Sequence, residues 1–231
     1  MPKGIIRSKR YVEAAKKSTD KVLPLEQAID IVKSFNPTKF DQTIELTFSL
    51  GIDPKQADQM IRGSLSLPHG VGSTKRVVCF CPENMVEKAK ASGAIKAGGQ
   101  ELVAEIEKEN FSDFDVAIST PDMMRFVGRL GKVLGPKGLM PSPKAGTVTA
   151  DVENAVKEYA AGKVEFRNDT GGNVHSVVGK MSFDKQKLID NATAMIAQVR
   201  RMKPAAAKGH YFKKVVLKGT MTPAVQVAVS L

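Results

Sequence analysis

In residues 44–50 (IELTFSL) every second residue is apolar, with Ile44, Leu46, Phe48 and Leu50 alternating with Glu45, Thr47 and Ser49. A period of two belongs to a strand with one face on a core and the other in water, so this chain must build a sheet with a solvated side. The same pattern returns at 163–167, 174–181 and 212–219, and again where Val225, Val227 and Val229 alternate with Gln226, Ala228 and Ser230. Between these outer stretches the period changes. Residues 77–80 and 116–118 are short continuous apolar runs, and helical spacing is expected at 83–91 and 99–109. A strand, helix, strand, helix succession of that kind predicts a parallel sheet covered on both faces. The expected fold class is therefore mixed α/β and α+β in two domains. Residues 1–69 and 159–231 would form a discontinuous α+β domain, and residues 70–158 an inserted α/β domain. The 231 residues are enough for two such cores.

Helix signals fill in the rest. Residues 24–35 place Leu25, Ile29 and Val32 at helical spacing behind an N1-type proline, with Asn36-Pro37 closing the helix. Asp53-Pro54 is expected to open a short helix running to about Arg62, with Leu65 and Leu67 on the strand after it and Pro68-His69-Gly70 as a turn. Another helix is expected after Pro121, one at 151–161 with Asp151 as its cap, and the longest at 184–202, apolar at Leu188, Ile189, Ala192, Met195, Ile196 and Val199.

Charge narrows the partner. Lys and Arg number 35 against 24 Asp and Glu, a net charge of +11, which favours a polyanionic partner. Residues 70–158 are balanced at 12 bases and 12 acids, so the whole excess lies in the outer segments. After Asp190 no acid occurs, while Arg200, Arg201, Lys203, Lys208, Lys213, Lys214 and Lys218 accumulate. Natural solvated faces usually mix both signs, so an acid-free tail of this length suits a binding role better than a solubilising one. Residues 125–149 (RFVGRLGKVLGPKGLMPSPKAGTVT) carry Arg125, Arg129, Lys132, Lys137 and Lys144 among glycines and prolines, without an acid. A basic Gly/Pro-rich loop fits nucleic-acid contact and fits a purely structural loop equally well.

Several chemistries are excluded or demoted. No apolar run approaches the ~20 residues of a membrane span, so no membrane partner is expected. The opening MPKGIIRSKRYVEAAKKSTDK lacks the apolar core of a secretory signal, and cytoplasm is the default location. The only cysteines, Cys79 and Cys81, read as small buried residues on one face of a strand. His69, His175 and His210 are scattered, so no metal and no cofactor are expected. The frame from Gly131 to Gly138 is not a phosphate-binding P-loop, because Pro136 replaces the second glycine and Gly138 the Ser/Thr ligand. Asp169-Thr170-Gly171 spells an aspartic-protease triplet, but Arg167 and Asn168 precede it where an apolar strand belongs, and a guanidinium nearby favours a permanently ionised acid. No catalytic residues are assigned. A nucleic-acid-modifying enzyme and a basic DNA-architectural protein are the competing readings.

Four blocks of the sequence, FDQTIELTFSLGIDPKQADQMIRGSLSLPHGVG, GKVLGPKGLMPSPKAGTVT, VEFRNDTGGNVHSVVGKMSF and the closing GTMTP, are similar to one family in order and separation. Over essentially its whole length the chain resembles the bacterial-type ribosomal protein L-one family, the large-subunit protein of the mobile stalk. The resemblance implies a discontinuous α+β domain of split βαβ character and an inserted three-layer, Rossmann-like α/β domain. It also implies binding to large-subunit ribosomal RNA, assistance to deacylated tRNA leaving the exit site, and repression through the protein's own mRNA. On this resemblance Lys39, Phe40, Thr43, Arg167, Asp169, His175, Thr220 and Met221 face ribosomal RNA. The basic stretch from Arg125 to Lys144 is the candidate tRNA-facing side. Three departures stand out: Gln42 where Glu is common, Thr170-Gly171 where Lys-Thr is common, and Thr222 where glycine usually follows Thr-Met. The last leaves the form of the turn after Met221 open.

Overall fold

The structure, a computed structural model, describes residues 7–19, 21–35, 38–109 and 113–229. It is mixed α/β and divides into two compact units. One comprises Met1–Ile61, Leu67–Gly72 and Phe166–Leu231, the other Arg62–Ser66 and Ser73–Glu165.

The core of the first unit is a four-stranded antiparallel sheet of β1 (Thr43–Leu50), β7 (Asn173–Lys180), β8 (Phe212–Gly219) and β9 (Val225–Gln226), in the order β7-β1-β8-β9. The alternation along β1 decides which way the sheet faces. Ile44, Leu46, Phe48 and Leu50 are buried, and the residues between them are half-buried. Helices α2 (Leu25–Lys33) and α8 (Lys185–Arg201) pack against one another and against β8 and β7 respectively. They contribute Ala28, Ile29 and Val32, and Leu188, Ala192, Met195 and Val199, to the core. Val178 is a bulge: Ile44 pairs with Gly179 and Glu45 with Val177, leaving Val178 without an opposite residue. Its carbonyl accepts a 2.8 Å hydrogen bond from the amide of fully buried Asn191, which also donates to the Gly70 carbonyl at 2.9 Å and accepts the His69 N–H at 3.1 Å. Helix α1 (Lys9–Lys17) is capped by Ser8, whose hydroxyl accepts the Tyr11 N–H at 3.3 Å.

In the second unit β3 (Val77–Phe80), β4 (Lys96–Gly98) and β5 (Val116–Ser119) form a parallel sheet in the order β4-β3-β5. Successive residues of β3 enter different cores, which is why the run is continuously apolar. Val77, Cys79 and then Cys81 pack with residues of α3 (Glu83–Ala91) and α7 (Val152–Ala160). Val78 and Phe80 pack with residues of α4 (Gln100–Glu109), α5 (Met124–Val127) and α6 (Gly131–Leu134). Both cysteines are fully buried free thiols. Asp151 caps α7, its carboxylate accepting the Asn154 N–H at 3.3 Å. The Tyr159 hydroxyl donates to the Ala145 carbonyl at 2.6 Å. Two short strands, β2 (Arg62–Leu65) and β6 (Val164–Arg167), pair separately, with Arg62 donating twice to one oxygen of Glu165.

Several expectations need correction. The helix expected from Asp53 to about Arg62 is a series of turns, and Arg62 already belongs to β2. Asp53 accepts the Lys55 N–H at 3.1 Å and the Gln59 side chain accepts the Asp53 N–H at 2.9 Å, local bonds that compete with helix formation where no apolar stripe favours it. Leu67 lies beyond β2, and the strand expected to reach Val229 closes after Gln226, with Val227 bridging Leu23 instead. Pro24 occupies the cap position of α2 rather than its first turn, and Asn36-Pro37 lie outside the described residues. The helix expected after Pro121 is present as α5, and residues 128–134, read as part of the basic loop, continue it as a 3-10 turn and α6, with Val127, Leu130 and Leu134 buried along the three short pieces. Gly128 and Gly131 interrupt them, as their low helix propensity would lead one to expect.

Candidate nucleic-acid interface

With α2 and α8 covering one side of the antiparallel sheet, its other side carries the alternate residues. Across β7, β1 and β8, respectively, these are Lys180, Thr43 and Thr220 at one end, then Val177, Glu45 and Lys218, then His175, Thr47 and Val216, and finally Asn173, Ser49 and Lys214. The face is polar and cationic, and Lys218 pairs with Glu45 at 3.2 Å.

Thr43, Thr220 and Met221 come together at the first end. The Thr43 N–H donates to the Thr220 hydroxyl at 3.1 Å, and the Thr220 N–H and hydroxyl reach the Thr43 carbonyl at 3.0 and 3.2 Å. Lys180 donates to the Thr43 hydroxyl at 2.9 Å. Met221 is 51% exposed, and its N–H is held by the side-chain carbonyl of buried Gln42 at 2.9 Å. The Thr222 hydroxyl accepts the Gly219 N–H at 2.8 Å, so in this chain a threonine side chain closes the turn after Met221. A Cβ on Gly219 would stand 3.2 Å from Gln42, Met181 and Thr222, so the turn is packed as well as hydrogen-bonded. Lys39 and Phe40 lie in the exposed segment leading into β1, with Phe40 53% exposed.

His175 lies opposite Thr47, about 14 Å from the Thr43 end for a four-residue offset along β1 at ~3.4 Å per residue, and Asp169 lies in the turn beyond Asn173, which pairs with Ser49. His175 Nδ1 is 3.3 Å from the Thr47 hydroxyl and its Nε2 is 3.7 Å from Asp169. Asp169 shapes the turn between β6 and β7, accepting the Asn173 N–H at 2.7 Å, the Asn173 side-chain amide at 3.1 Å and the Gly171 N–H at 2.8 Å. Those donors, Asn173 first, hold its carboxyl below the usual carboxylate range, with the His175 charge adding to them. Arg167 is not among the groups that lower it, which corrects the sequence-based account: Arg167 is exposed at the end of β6, and its guanidinium makes no hydrogen bond or ion pair among the described residues. A carboxylate committed to three donors is a turn-former, not a shared-proton acid.

The second unit presents a separate cationic feature. Arg125, Arg129 and Lys132 lie at helical spacing along 124–134, all exposed, while the intervening Val127 and Leu130 are buried. Lys137 is exposed in the turn that follows, and Lys144 in the 3-10 turn Pro143–Ala145. Among the described residues no group of three or more His, Cys, Asp or Glu is placed to hold a metal ion, and no helix is long and apolar enough to cross a membrane.

Sequence reasoning missed Lys180 on the outward face, because the alternation of β7 alone would turn it inward, and it counted Lys214 only in the acid-free tail although that residue falls at a non-core position of β8. It also treated Gln42 as a departure, whereas its side chain positions the Met221 backbone.

The model of the ribosomal protein L1p/L10e family matches residues 32–223, spanning the outward sheet face, the Met221 turn and the whole second unit. The chain belongs to this family. It is 51% identical over 227 residues to the large ribosomal subunit protein uL1 of Kosmotoga olearia, covering 98% of this chain and 96% of that one. It is 50% identical over 228 residues to the protein of the same name from Thermosipho africanus, with 98% and 97% covered. An L1p/L10e family member is a structural protein, so the chain is not an enzyme.

Proposed function

We propose that this protein is a constituent of the large ribosomal subunit in the cytoplasm and binds large-subunit ribosomal RNA through the outward sheet face of the first unit. In this reading residues 1–69 and 159–231 act as the RNA-binding domain of split βαβ character, and residues 70–158 as an inserted three-layer α/β domain. The observation that carries it is the end of the sheet where Thr43, Thr220 and Lys180 are locked together beside a Met221 that is 51% exposed on a backbone fixed by Gln42. Such a surface suits folded RNA: hydroxyls and an ammonium reach phosphate and 2′-OH groups, while the thioether and Phe40 cover sugar and base faces. Arg167, Asp169, His175 and Lys39 extend the footprint. The same face would bind a mimic in the protein's own mRNA and repress its translation. The exposed row of Arg125, Arg129 and Lys132, with Lys137 and Lys144 beyond it, is assigned to exit-site tRNA and its release.

The test is a titration of Thr220→Ala and Met221→Ala against a stalk-helix fragment of large-subunit ribosomal RNA, with duplex DNA and an unrelated folded RNA as competitors at two salt concentrations. Each substitution should weaken binding by about 1–3 kcal/mol with circular dichroism unchanged. Unchanged affinity in both, or binding to all three nucleic acids that salt erases equally, would overturn the assignment.

A further inference from the structure

The tail beyond Asp190 that lacks acids has a structural destination. Five of its seven bases lie at or after the C-terminal end of α8 and before the middle of β8: Arg201, Lys203, Lys208, Lys213 and Lys214, all exposed. None of the five has an ion-pair partner among the described residues. Here the turns after β1 and the segment between α8 and β8 enclose an open cleft of about 720 Å³, lined by residues including Ile52, Asp53, Gln56, Lys208, His210 and Lys213. Its floor is closed, because the Gly51 N–H donates to the Tyr211 carbonyl at 2.7 Å and a Cβ on Gly51 would stand 2.2 Å from the His210 oxygen.

From these features we infer that the cleft binds a nucleotide, with its phosphate between Lys208 and Lys213 and its base against Ile52 and the His210 ring. The volume falls in the range of small-molecule sites, roughly 300–1,000 Å³. Gln59 spends its side-chain oxygen on the Asp53 N–H at 2.9 Å and its side-chain nitrogen on the Gln56 oxygen at 2.7 Å, which leaves the Gln56 amide nitrogen as a donor for a base edge. Asp53 decides between a nucleotide and a bare anion. Its carboxylate would repel a phosphate placed alone in the cleft, but it accepts the hydroxyls that a ribose brings along. Ile52 also approaches Gly172 of the Asp169 turn, its Cγ1 lying 3.5 Å from where a Cβ on Gly172 would stand, so the cleft continues the face assigned to RNA. The nucleotide would be either an unpaired residue of a bound RNA strand or a free monophosphate. Only the first source rests on the proposed function.

The experiment uses the full chain. Amide NMR spectra are recorded with UMP and with inorganic phosphate, and anisotropy titrations with fluorescein-labelled octauridylate compare the wild type, Lys208→Ala/Lys213→Ala, and a control of equal charge change, Lys9→Ala/Lys16→Ala. UMP should shift Ile52, Gln56 and His210 amides that phosphate leaves in place. The cleft variant should lose about tenfold in octauridylate affinity and one to two units of salt slope, against less than about threefold for the control. Saturation by UMP at concentrations like those of octauridylate identifies the free nucleotide as ligand; response to octauridylate alone identifies the RNA strand. Phosphate reproducing every UMP shift, equal losses of octauridylate affinity in the two double variants, or no UMP shift together with no loss of octauridylate affinity in the cleft variant would overturn the cleft. Because Thr220→Ala and Met221→Ala are read against stalk RNA, unchanged affinity in both sinks the proposed function without touching the UMP result.

Discussion

Gln42 offers the sharpest test of how the end of the sheet proposed to face RNA is built. Its side chain is 2% exposed, and its amide oxygen is the acceptor for the Met221 N–H at 2.9 Å, while its backbone carbonyl accepts the Met181 N–H at 2.8 Å. Gln42→Ala leaves the backbone bond in place and removes the side-chain one. The lost hydrogen bond contributes about 1 kcal/mol, and the one buried methylene withdrawn adds ~1 kcal/mol, so the first unit should lose about 2 kcal/mol. Because the Met221 N–H borders solvent, water takes over as its partner, and the consequence is loss of position rather than an orphaned donor. Stalk-RNA affinity should therefore fall by about 1 kcal/mol or more although residue 42 faces the core. Gln42→Glu, which keeps an acceptor oxygen in place, should retain most of the affinity. Urea denaturation followed by circular dichroism and RNA anisotropy read the two effects. Gln42→Ala binding RNA like the wild type would refute the idea that this amide positions Met221.

Other substitutions test other joints of the structure. Asn191→Ala deprives the bulged Val178 carbonyl, the Gly70 carbonyl and the His69 N–H of their shared partner; with water rescuing part of the loss, urea denaturation should show about 2–4 kcal/mol of destabilisation, and under ~1 kcal/mol would contradict the network. Burial pushes the Tyr159 phenol up to about 12. The folded state therefore keeps a proton that the unfolded state releases near pH 10, so stability falls as pH rises from about 10 to 12. Tyr159→Phe should cost about 1 kcal/mol at neutral pH and flatten that alkaline loss in urea titrations. Asp169 carries the opposite sign: with its folded pKa held down by Asn173 and Gly171, the turn's stabilisation is complete above the ordinary carboxylate value of about 3.9 and disappears as pH falls through the lower folded one. Carboxyl carbon NMR should show it titrating below 3.9; a value at or above that would refute the three-donor turn.

Sequence period revealed faces, not partners. The alternation in β1 identified the outward positions Glu45, Thr47 and Ser49, and the continuous runs of β3 and β5 marked strands buried on both sides. Helix α1 escaped because among its residues only Ala14 is buried, leaving no apolar stripe to find. Strand β4 escaped because three residues are too few to show any period. The 53–62 segment misled because Asp53 and Gln59 spend their side chains on nearby backbone. Gln42 and Asn191 were invisible for another reason: their partners lie 179 and 122 residues away for the Met221 and His69 bonds, a distance over which no local pattern operates.

Asn191 also bears on the site itself. Strand β7 alternates strictly from Asn173 to Val177, with His175 and Val177 outward, and continuing that phase would turn Lys180 toward the core. The bulge at Val178 absorbs one residue, so Gly179 pairs with inward Ile44 and Lys180 with outward Thr43. The cation that donates to the Thr43 hydroxyl thus owes its place to a slip in register, and the bulged carbonyl is satisfied in the interior by Asn191. Asn191→Ala should consequently weaken stalk-RNA binding more than substitution of a core residue that leaves the bulge intact, such as Met195→Leu. Equal RNA affinity in the two folded variants would mean that the register around Lys180 is held by the strand pairing alone.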